Sequence, residues 1–394
     1  MVILEYKAYG KSKQLPAVDE APRTARFLRN KALHDWMDNK GVGKYGLSKC
    51  CKVLAAEFRF VDKLNSLARQ AAAHRAWGAI AHFYDHVKKN KPGEKGSPRF
   101  RKRAHSVEYK TFGGKLAPDR KRIPFTDGPA IGSLKLKGTR DLSTVREDQT
   151  KRVRIIRRAD GYYVQFGVAV ERRQVVSPSQ ATIGLDVGLE RFYTDSTAQK
   201  VDNPRFLWKA AKKLKKLPRR VRRKKKGSKN RRKTINRLAR VHLQVERQRR
   251  DFAVKTARCV VRSNDLVAFE DLQIRNMVKN GKLAKSISDA AWGEFRRWLE
   301  YFGRVYGKVV VAVPPQYTSQ QCSDCGATVM KALSERTHRC PRCGTVLDRD
   351  QNAAINILRL GLEKVGRGTP EPNAWGEGTS TVQGSDTLGG KPPR

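Results

Sequence analysis

Residues 181–194 read Ala-Thr-Ile-Gly-Leu-Asp-Val-Gly-Leu-Glu-Arg-Phe-Tyr-Thr, and the reading of this stretch decides the fold. Two runs, Ala181–Val187 and Arg191–Thr194, flank Gly188, which predicts two strands turning at that glycine. The first run is apolar enough for a strand buried in a central sheet, yet it carries an acid, Asp186, at its end. Two further short apolar runs follow, Leu266–Phe269 and Val309–Val313, and the first of them leads straight into Glu270. Helical patterns lie between, from Trp208 to about Arg262 and from Ser288 to Tyr306, and another follows at about Gln351–Glu363. Strands alternating with helices predict an α/β domain over 180–315 and 346–366.

Upstream of this domain the periodicity differs. Val153–Ile156 and Tyr162–Val170 are β-branched and aromatic runs joined near Asp160-Gly161, a hairpin signal. With the strand-like opening Met1–Tyr6, they predict a small β-domain made of 1–20 and 100–178. From Pro22 to about Val87, apolar residues recur three and four apart (Phe27, Leu28, Ala32, Trp36, then Leu64, Leu67, Ala71), which predicts a helical unit over 21–99 inserted in that β-domain. The unit closes in the loop Lys88–Pro98, with Pro92, Gly93, Gly96 and Pro98. The tail, 367–394, is rich in Gly, Pro, Ser and Thr and is expected to be disordered.

Charge narrows the function. The 394 residues carry 84 Lys+Arg and 37 Asp+Glu, a formal net charge of +47. So large an imbalance repels itself, and an enzyme acting on a small neutral substrate has no use for it. A polyanionic partner explains it, nucleic acid first and an anionic membrane surface second. No run reaches the roughly 18 apolar residues of a membrane span, and Met1–Tyr9 lacks the pattern of a secretory signal. Much of the excess sits in Lys209–Arg250, with 21 Lys+Arg in 42 residues and one acid, Glu246. The candidate phosphate contacts are Lys212, Lys213, Lys215, Lys216, Arg219, Arg220, Arg222, Arg223, Lys224, Lys225, Lys226, Lys229, Arg231, Arg232 and Lys233. A solvated face or a localisation cluster is the bland alternative, but a solvated face mixes both signs. No aromatic lies between Trp208 and Phe252, so the tract grips backbone rather than stacking bases. Pro218 and Gly227 are expected to interrupt its helix.

Seven cysteines, four of them clustered late, suit a reducing compartment and metal binding better than a disulfide scaffold. Cys322-Ser-Asp-Cys325 and Cys340-Pro-Arg-Cys343 are separated by 14 residues, and Gly326 and Gly344 directly follow the second cysteine of each pair. Four thiolates so spaced close a tetrahedral zinc site at about 2.3 Å per bond, with no position left open for chemistry. His338 is expected at the surface, and Cys50, Cys51 and Cys259 as ordinary buried thiols.

Asp186, Glu270 and Asp350 stand where acid is otherwise scarce, and Asp350 lies where a helix begins, in Asp348-Arg-Asp-Gln-Asn-Ala-Ala354. Each alone reads as a turn residue or helix cap. Together they could meet at one sheet edge, where carboxylates repel unless cations sit between them, the requirement of a two-magnesium phosphodiesterase site. At this level both readings stand.

Several motifs in order carry a resemblance: Gly96-Ser-Pro-Arg-Phe-Arg-Lys102, Asn203-Pro-Arg-Phe-Leu207, Lys224-Lys-Lys-Gly-Ser-Lys-Asn-Arg-Arg-Lys233, Phe269-Glu-Asp-Leu272, Pro314-Pro-Gln-Tyr-Thr-Ser319, both cysteine pairs and Asp348–Ala354. The chain resembles the TnpB family, transposon-associated RNA-guided DNA endonucleases related to the type V CRISPR effectors. The resemblance implies a multidomain α+β fold. Its parts would be an RNase H-like (RuvC) α/β nuclease domain with a four-cysteine zinc ribbon inserted at 316–345, and an N-terminal β-barrel-like wedge domain with an inserted helical recognition domain. It matches the family's acidic metal ligands to Asp186, Glu270 and Asp350, leaving Asp348 a supporting role. It further implies two catalytic Mg²⁺, one structural Zn²⁺, a guide RNA, a double-stranded DNA target beside a short flanking motif, and a cytoplasmic site of action at the DNA, with a partner transposase as a further candidate. Two other functions share the features: a guide-dependent DNA-binding repressor and a DNA-strand-joining transposase.

Overall fold

In the computed structural model the described residues are 2–366, without 40, 90–95, 111–115, 118, 126, 128–130, 139–146 and 333. The expected disordered tail therefore lies outside the described residues, as does part of the loop at 88–98. The chain divides after Arg172 into two compact units. Among the described residues no helix is long and apolar enough to cross a membrane.

The first unit is built on an antiparallel sheet of six strands: β1 (Val2–Tyr9), β2 (Ser106–Lys110), β3 (Arg122–Phe125), β4 (Gly132–Lys137), β5 (Thr150–Arg158) and β6 (Gly161–Val168), in the order β2-β5-β6-β1-β4-β3. Alternation along β1 buries Leu4, Tyr6 and Ala8, and the register sets Leu4 opposite Phe166 and Tyr6 opposite Val164. β5 and β6 form a tight hairpin in which Arg158 pairs with Gly161, whose φ of 137° is open to glycine alone. Helices α1 (Leu15–Asp38), α2 (Lys44–Glu57), α3 (Arg59–Asp62) and α4 (Ser66–Lys88) occupy the chain between β1 and β2. Helix α1 begins well before Pro22 and runs through it. The missing N–H costs one backbone bond, while the ring itself is buried in the core with Val18, Ala21, Ala25 and Leu28. On α4 the buried face is Ala68, Ala72, Ala73, Ala76 and Ile80, small residues that allow close packing against α1 and β2. Asp127 pins this layer to the sheet, accepting from the Asn65 N–H and the Tyr109 hydroxyl, each at 2.6 Å.

The second unit contains a five-stranded mixed sheet: β7 (Thr182–Val187), β8 (Arg191–Asp195), β9 (Lys200–Asp202), β10 (Leu266–Glu270) and β11 (Val309–Val313), ordered β11-β10-β7-β8-β9. β7, β8 and β9 form an antiparallel meander, and β10 runs parallel to both β7 and β11. Helices α5 (Phe206–Arg222) and α6 (Lys229–Ser263) replace the single helical pattern of the sequence. Pro218 does not interrupt; it lies inside α5. The break comes at Gly227, with φ +83°, and at Ser228, whose hydroxyl caps α6 by accepting from the Arg231 N–H at 3.1 Å. After the short α7 (Ile274–Met277) and α8 (Ala284–Ala290), α9 (Trp292–Tyr306) leads into β11, and α10 (Arg349–Gly366) ends the described chain.

Alternate residues of β10 enter different cores. Val267 and Phe269 join Phe192, Phe295, Leu299 and the Ala253/Ala257 face of α6, whereas Leu266 and Ala268 join Ile357 of α10. Helices therefore cover both faces of the sheet. The approach of α10 is unusually close. A Cβ on Gly184 would lie 2.1 Å from the Ala354 carbonyl oxygen, and one on Gly361 would lie 2.5 Å from the Ala268 Cβ. Gly184→Ala should destabilise the unit by about 3 kcal/mol and lower Tm by about 6–12 °C, while Gly281→Ala, with open space around it, should leave Tm unchanged; paired melting curves check this.

Candidate functional site

Asp186 and Glu270 sit at the same edge of the sheet. Their strands are parallel neighbours in a register ending at Phe269 with Leu185, so the next residue on each strand is the acid. Asp350 lies in the first turn of α10, which packs against β7 and β10. Asp186 feels the other two electrostatically. Burial, then the charges of Glu270 and Asp350, pushes the Asp186 carboxyl well above its ordinary range, with only Arg349 opposing. Burial likewise raises Glu270, against the hydroxyl of Thr318, which donates to its Oε1 at 2.6 Å.

The outer partners sort the acids further. Asp350 faces cations, with Arg349 Nη2 at 3.2 Å and Arg336 Nη1 at 3.6 Å. Asp348 caps α10: its Oδ1 accepts from the N–H groups of Asp350 and Gln351, and its Oδ2 lies 2.7 Å from Lys200 Nζ. Although burial pushes its carboxyl up, these partners outweigh burial and bring it below the ordinary value. With two oxygens so engaged, Asp348 has little capacity left for a ligand role. Thr318, Arg336 and Lys200 were not singled out in the sequence. Thr318 lay in a quoted motif, Pro314–Ser319, but nothing local announces its bond to an acid 48 positions away.

Among the described residues, the four cysteines are the group of three or more His, Cys, Asp or Glu whose ligand atoms all lie within 4.8 Å of one another. The acidic trio belongs to no such group; Glu270 is engaged by Thr318, and Asp350 by Arg336 and Arg349. Sγ distances of 3.6 Å (Cys322 to Cys343) and 3.5 Å (Cys325 to Cys340) suit the edges of a four-thiolate tetrahedron. Each cysteine pair forms a knuckle: the Gly326 N–H returns to the Cys322 carbonyl at 3.0 Å, and the Gly344 N–H to that of Cys340 at 2.9 Å. Both glycines have φ near +75° (74° and 77°), the left-handed region that side chains resist. Hydrogen bonds from Thr345 hold the Cys343 thiol down to about 6. The Ala327 N–H also favours the Cys325 thiolate, but desolvation and the three neighbouring thiols push it up to about 12. Four thiols gathered this closely fit a divalent cation, and zinc is an ion whose tetrahedral four-thiolate geometry they match.

Strands β12 (Thr337–Arg339) and β13 (Val346–Asp348) form the ribbon's hairpin. His338 is not at the surface as expected; it is fully buried, with Nδ1 against Lys331 Nζ. Its pairing with Leu347 turns it inward, a consequence of register invisible in composition. Cys259 also departs from expectation, being exposed on α6, while Cys51 is buried and Cys50 half-buried.

The basic tract becomes the α5–α6 helical hairpin. Thirteen of the fifteen candidate cations are exposed, with Lys224 and Arg231 half-buried. α5 buries no residue completely, and Leu217 and Val241 sit between Lys213, Lys216, Arg220, Arg237 and Arg240 in a groove between the two helices. Among the described residues no carboxylate pairs with any of the fifteen.

Comparison with known proteins gives convergent matches. A family model described as "Probable transposase" matches residues 165–281, and one described as "Cas12f1-like, TNB domain" matches residues 292–357. A Streptomyces pristinaespiralis protein named "Putative RNA-guided DNA endonuclease" is 32% identical over 373 residues, covering 91% of this chain and 89% of that one. The Escherichia coli K12 protein "Putative RNA-guided DNA endonuclease InsQ" is 32% identical over 281 residues, covering 67% of this chain and 68% of its own. Among solved structures, a Cas12f1–sgRNA–target DNA complex aligns with TM-score 0.53 at 17% identity, covering 89% of this chain and 83% of that one, a likeness of fold.

Two outcomes follow from the site. Because the raised carboxyl of Asp186 favours its protonated form, its contribution to stability is present below the unfolded pKa and lost as pH rises through the raised folded one. Above the unfolded pKa the raised proton affinity therefore costs stability, and Asp186→Asn should raise the Tm of metal-free protein at neutral pH by about 2–4 °C in thermal melts. Metal analysis should find about one zinc per chain, and Cys322→Ser should lose it and melt earlier.

Proposed function

The chain belongs to the TnpB family, and from that membership we propose that it is an RNA-guided endonuclease that hydrolyses DNA phosphodiester bonds. The observation that carries the reading is the electrostatic coupling of Asp186, Glu270 and Asp350, drawn from two parallel strand ends and one helix start. A buried carboxyl whose proton affinity is raised by two nearby acids is relieved by a cation, and a nuclease needs cations beside its scissile phosphate. The strand order β11-β10-β7-β8-β9 supports an RNase H-like (RuvC) assignment for 180–315 and 346–366, with the ribbon at 316–345 as an insertion. We assign 1–20 and 100–178 to a wedge-like β-domain and 21–99 to a recognition domain that reads a short DNA motif beside the target.

In this reading Asp186, Glu270 and Asp350 hold magnesium. Two Mg²⁺, when bound, supply charge neutralisation at the phosphate and acidify the attacking water. Thr318 holds the Glu270 carboxylate in one orientation, and Arg349 and Arg336 balance Asp350 until a cation replaces them. The α5–α6 cations bind the guide RNA and its heteroduplex through phosphates, leaving sequence choice to base pairing. The ribbon's zinc is structural, and the enzyme acts in the cytoplasm on cellular DNA.

Purified protein with its co-purifying RNA should cut matching duplex DNA in Mg²⁺ and not in EDTA. Asp186→Ala, Glu270→Ala and Asp350→Ala should each reduce cutting to background while guide and target binding persist. Full cutting by Asp186→Ala would sink the assigned site, and strand-transfer products formed without RNA would favour a transposase.

A further inference from the structure

The first unit contains a cavity for which the proposed nuclease mechanism has no use. It lies among α1, α4 and the segment 99–106, and five guanidinium groups line it: Arg26, Arg29, Arg75, Arg101 and Arg103. One carboxylate joins them, Glu108, and it is committed to Arg154, whose Nε donates at 3.0 Å. Arg29 is 6% exposed. Its Nη1 donates to the Arg99 carbonyl at 3.2 Å and to Asn30 Oδ1 at 3.3 Å, but its Nε is buried without a partner. A buried, incompletely satisfied cation among like charges is costly unless an anion arrives. Burial, then the neighbouring arginines, lowers the proton affinity of Arg29, a sign of the same deficit.

A structural explanation covers part of this. Arg29 and Asn30 hold the backbone at Arg99 and Arg101, the latter through two bonds of 3.0 Å from Asn30. That accounts for one end of Arg29; Arg75 has a long bond from Nη2 to the Ser106 hydroxyl at 3.5 Å, and the same backbone bonds leave the side chains of Arg101 and Arg103 without a structural task. A second hollow adjoins the first and shares Arg26 with it, lined also by His34 and Phe100. Phe100 is 49% exposed, its ring stacked on His34 with centroids 6.4 Å apart. Guanidinium forks match phosphate oxygens, and an exposed aromatic face receives a base.

We infer that this cavity binds one phosphate of an unpaired nucleotide in a bound polynucleotide, with the Phe100 ring as the shelf for its base. The inference rests on the nucleic-acid-binding part of the proposed function. It gives a role to Gly96–Lys102, a motif otherwise unused.

The test measures binding of the full-length protein to a fluorescent single-stranded oligonucleotide across a salt series, with melting curves as the folding control. Arg75→Gln and Arg101→Gln are chosen because neither side chain carries the α1 core. Each should weaken binding by about tenfold. Their combination should make the salt slope shallower by about 0.7, one single-strand phosphate. Phe100→Ala should weaken single-strand binding by about tenfold with the slope unchanged, and leave duplex binding alone. Wild-type affinity and slope in the double arginine variant would overturn the inference. So would a melting shift with inorganic phosphate that the variants lose while their oligonucleotide affinity stays intact, since the pocket would then serve a free anion. Because binding is the readout, a wild-type protein that binds but never cuts strikes the nuclease reading and leaves this result to stand.

Discussion

Helix α10 is pressed onto the sheet at a distance that only glycine permits. Gly184 on β7 and Gly361 on α10 each give up a side chain so that backbone can meet backbone or Ala268 directly. The consequence reaches beyond packing. A helix held this close delivers Asp350, in its first turn, to the edge where β7 and β10 end in Asp186 and Glu270. Had the helix sat at the ordinary separation set by interdigitating side chains, the third acid would have stood off from the other two. The acidic cluster is thus a property of interlayer spacing as much as of residue choice.

Charge is distributed in the second unit by opposite logics. At the sheet edge, burial raises the proton affinity of Asp186 and Glu270, and neighbouring acids raise that of Asp186 further, so the fold alone pays a standing electrostatic penalty there. Along the α5–α6 hairpin, most of the fifteen candidate cations are exposed, screened by solvent, and cost little apart from mutual repulsion. One arrangement demands cations and the other demands polyanions.

How much of this was legible beforehand depends on the range of the interaction. Strand ends at Asp186 and Glu270 and the knuckle glycines Gly326 and Gly344 follow local rules of period and turn chemistry. The mixed helix–strand character of the molecule follows from the same rules. Failures came where a residue's neighbour is far away in sequence. Pro218 was expected to break a helix, but a proline in an exposed helix that buries little can be carried at the loss of one bond. His338 was expected outside, yet the β12–β13 register turned it inward. Thr318, the hydroxyl that orients Glu270, carries no local mark at all, since its partner is set by how the segment after β11 folds back.

That segment also explains why a structural ribbon belongs beside an acidic edge. Asn352 and Asn356, both buried on α10, bind it from the helix side. Asn352 Nδ2 donates to the Gln321 carbonyl and its Oδ1 accepts from the Ser323 N–H, flanking Cys322, while Asn356 Nδ2 donates to the carbonyls of Thr318 and Gln321. Buried amide bonds of this kind cost about 1–3 kcal/mol when one partner is lost, so the knuckle cannot shift without the helix registering it. Two residues before Asn352 on the same helix is Asp350, and one bond from the same carbonyl network is the Thr318 hydroxyl that holds Glu270. The four-cysteine segment is therefore more than a loop: it is bonded to the same helix that carries Asp350 and to the segment whose Thr318 hydroxyl meets Glu270.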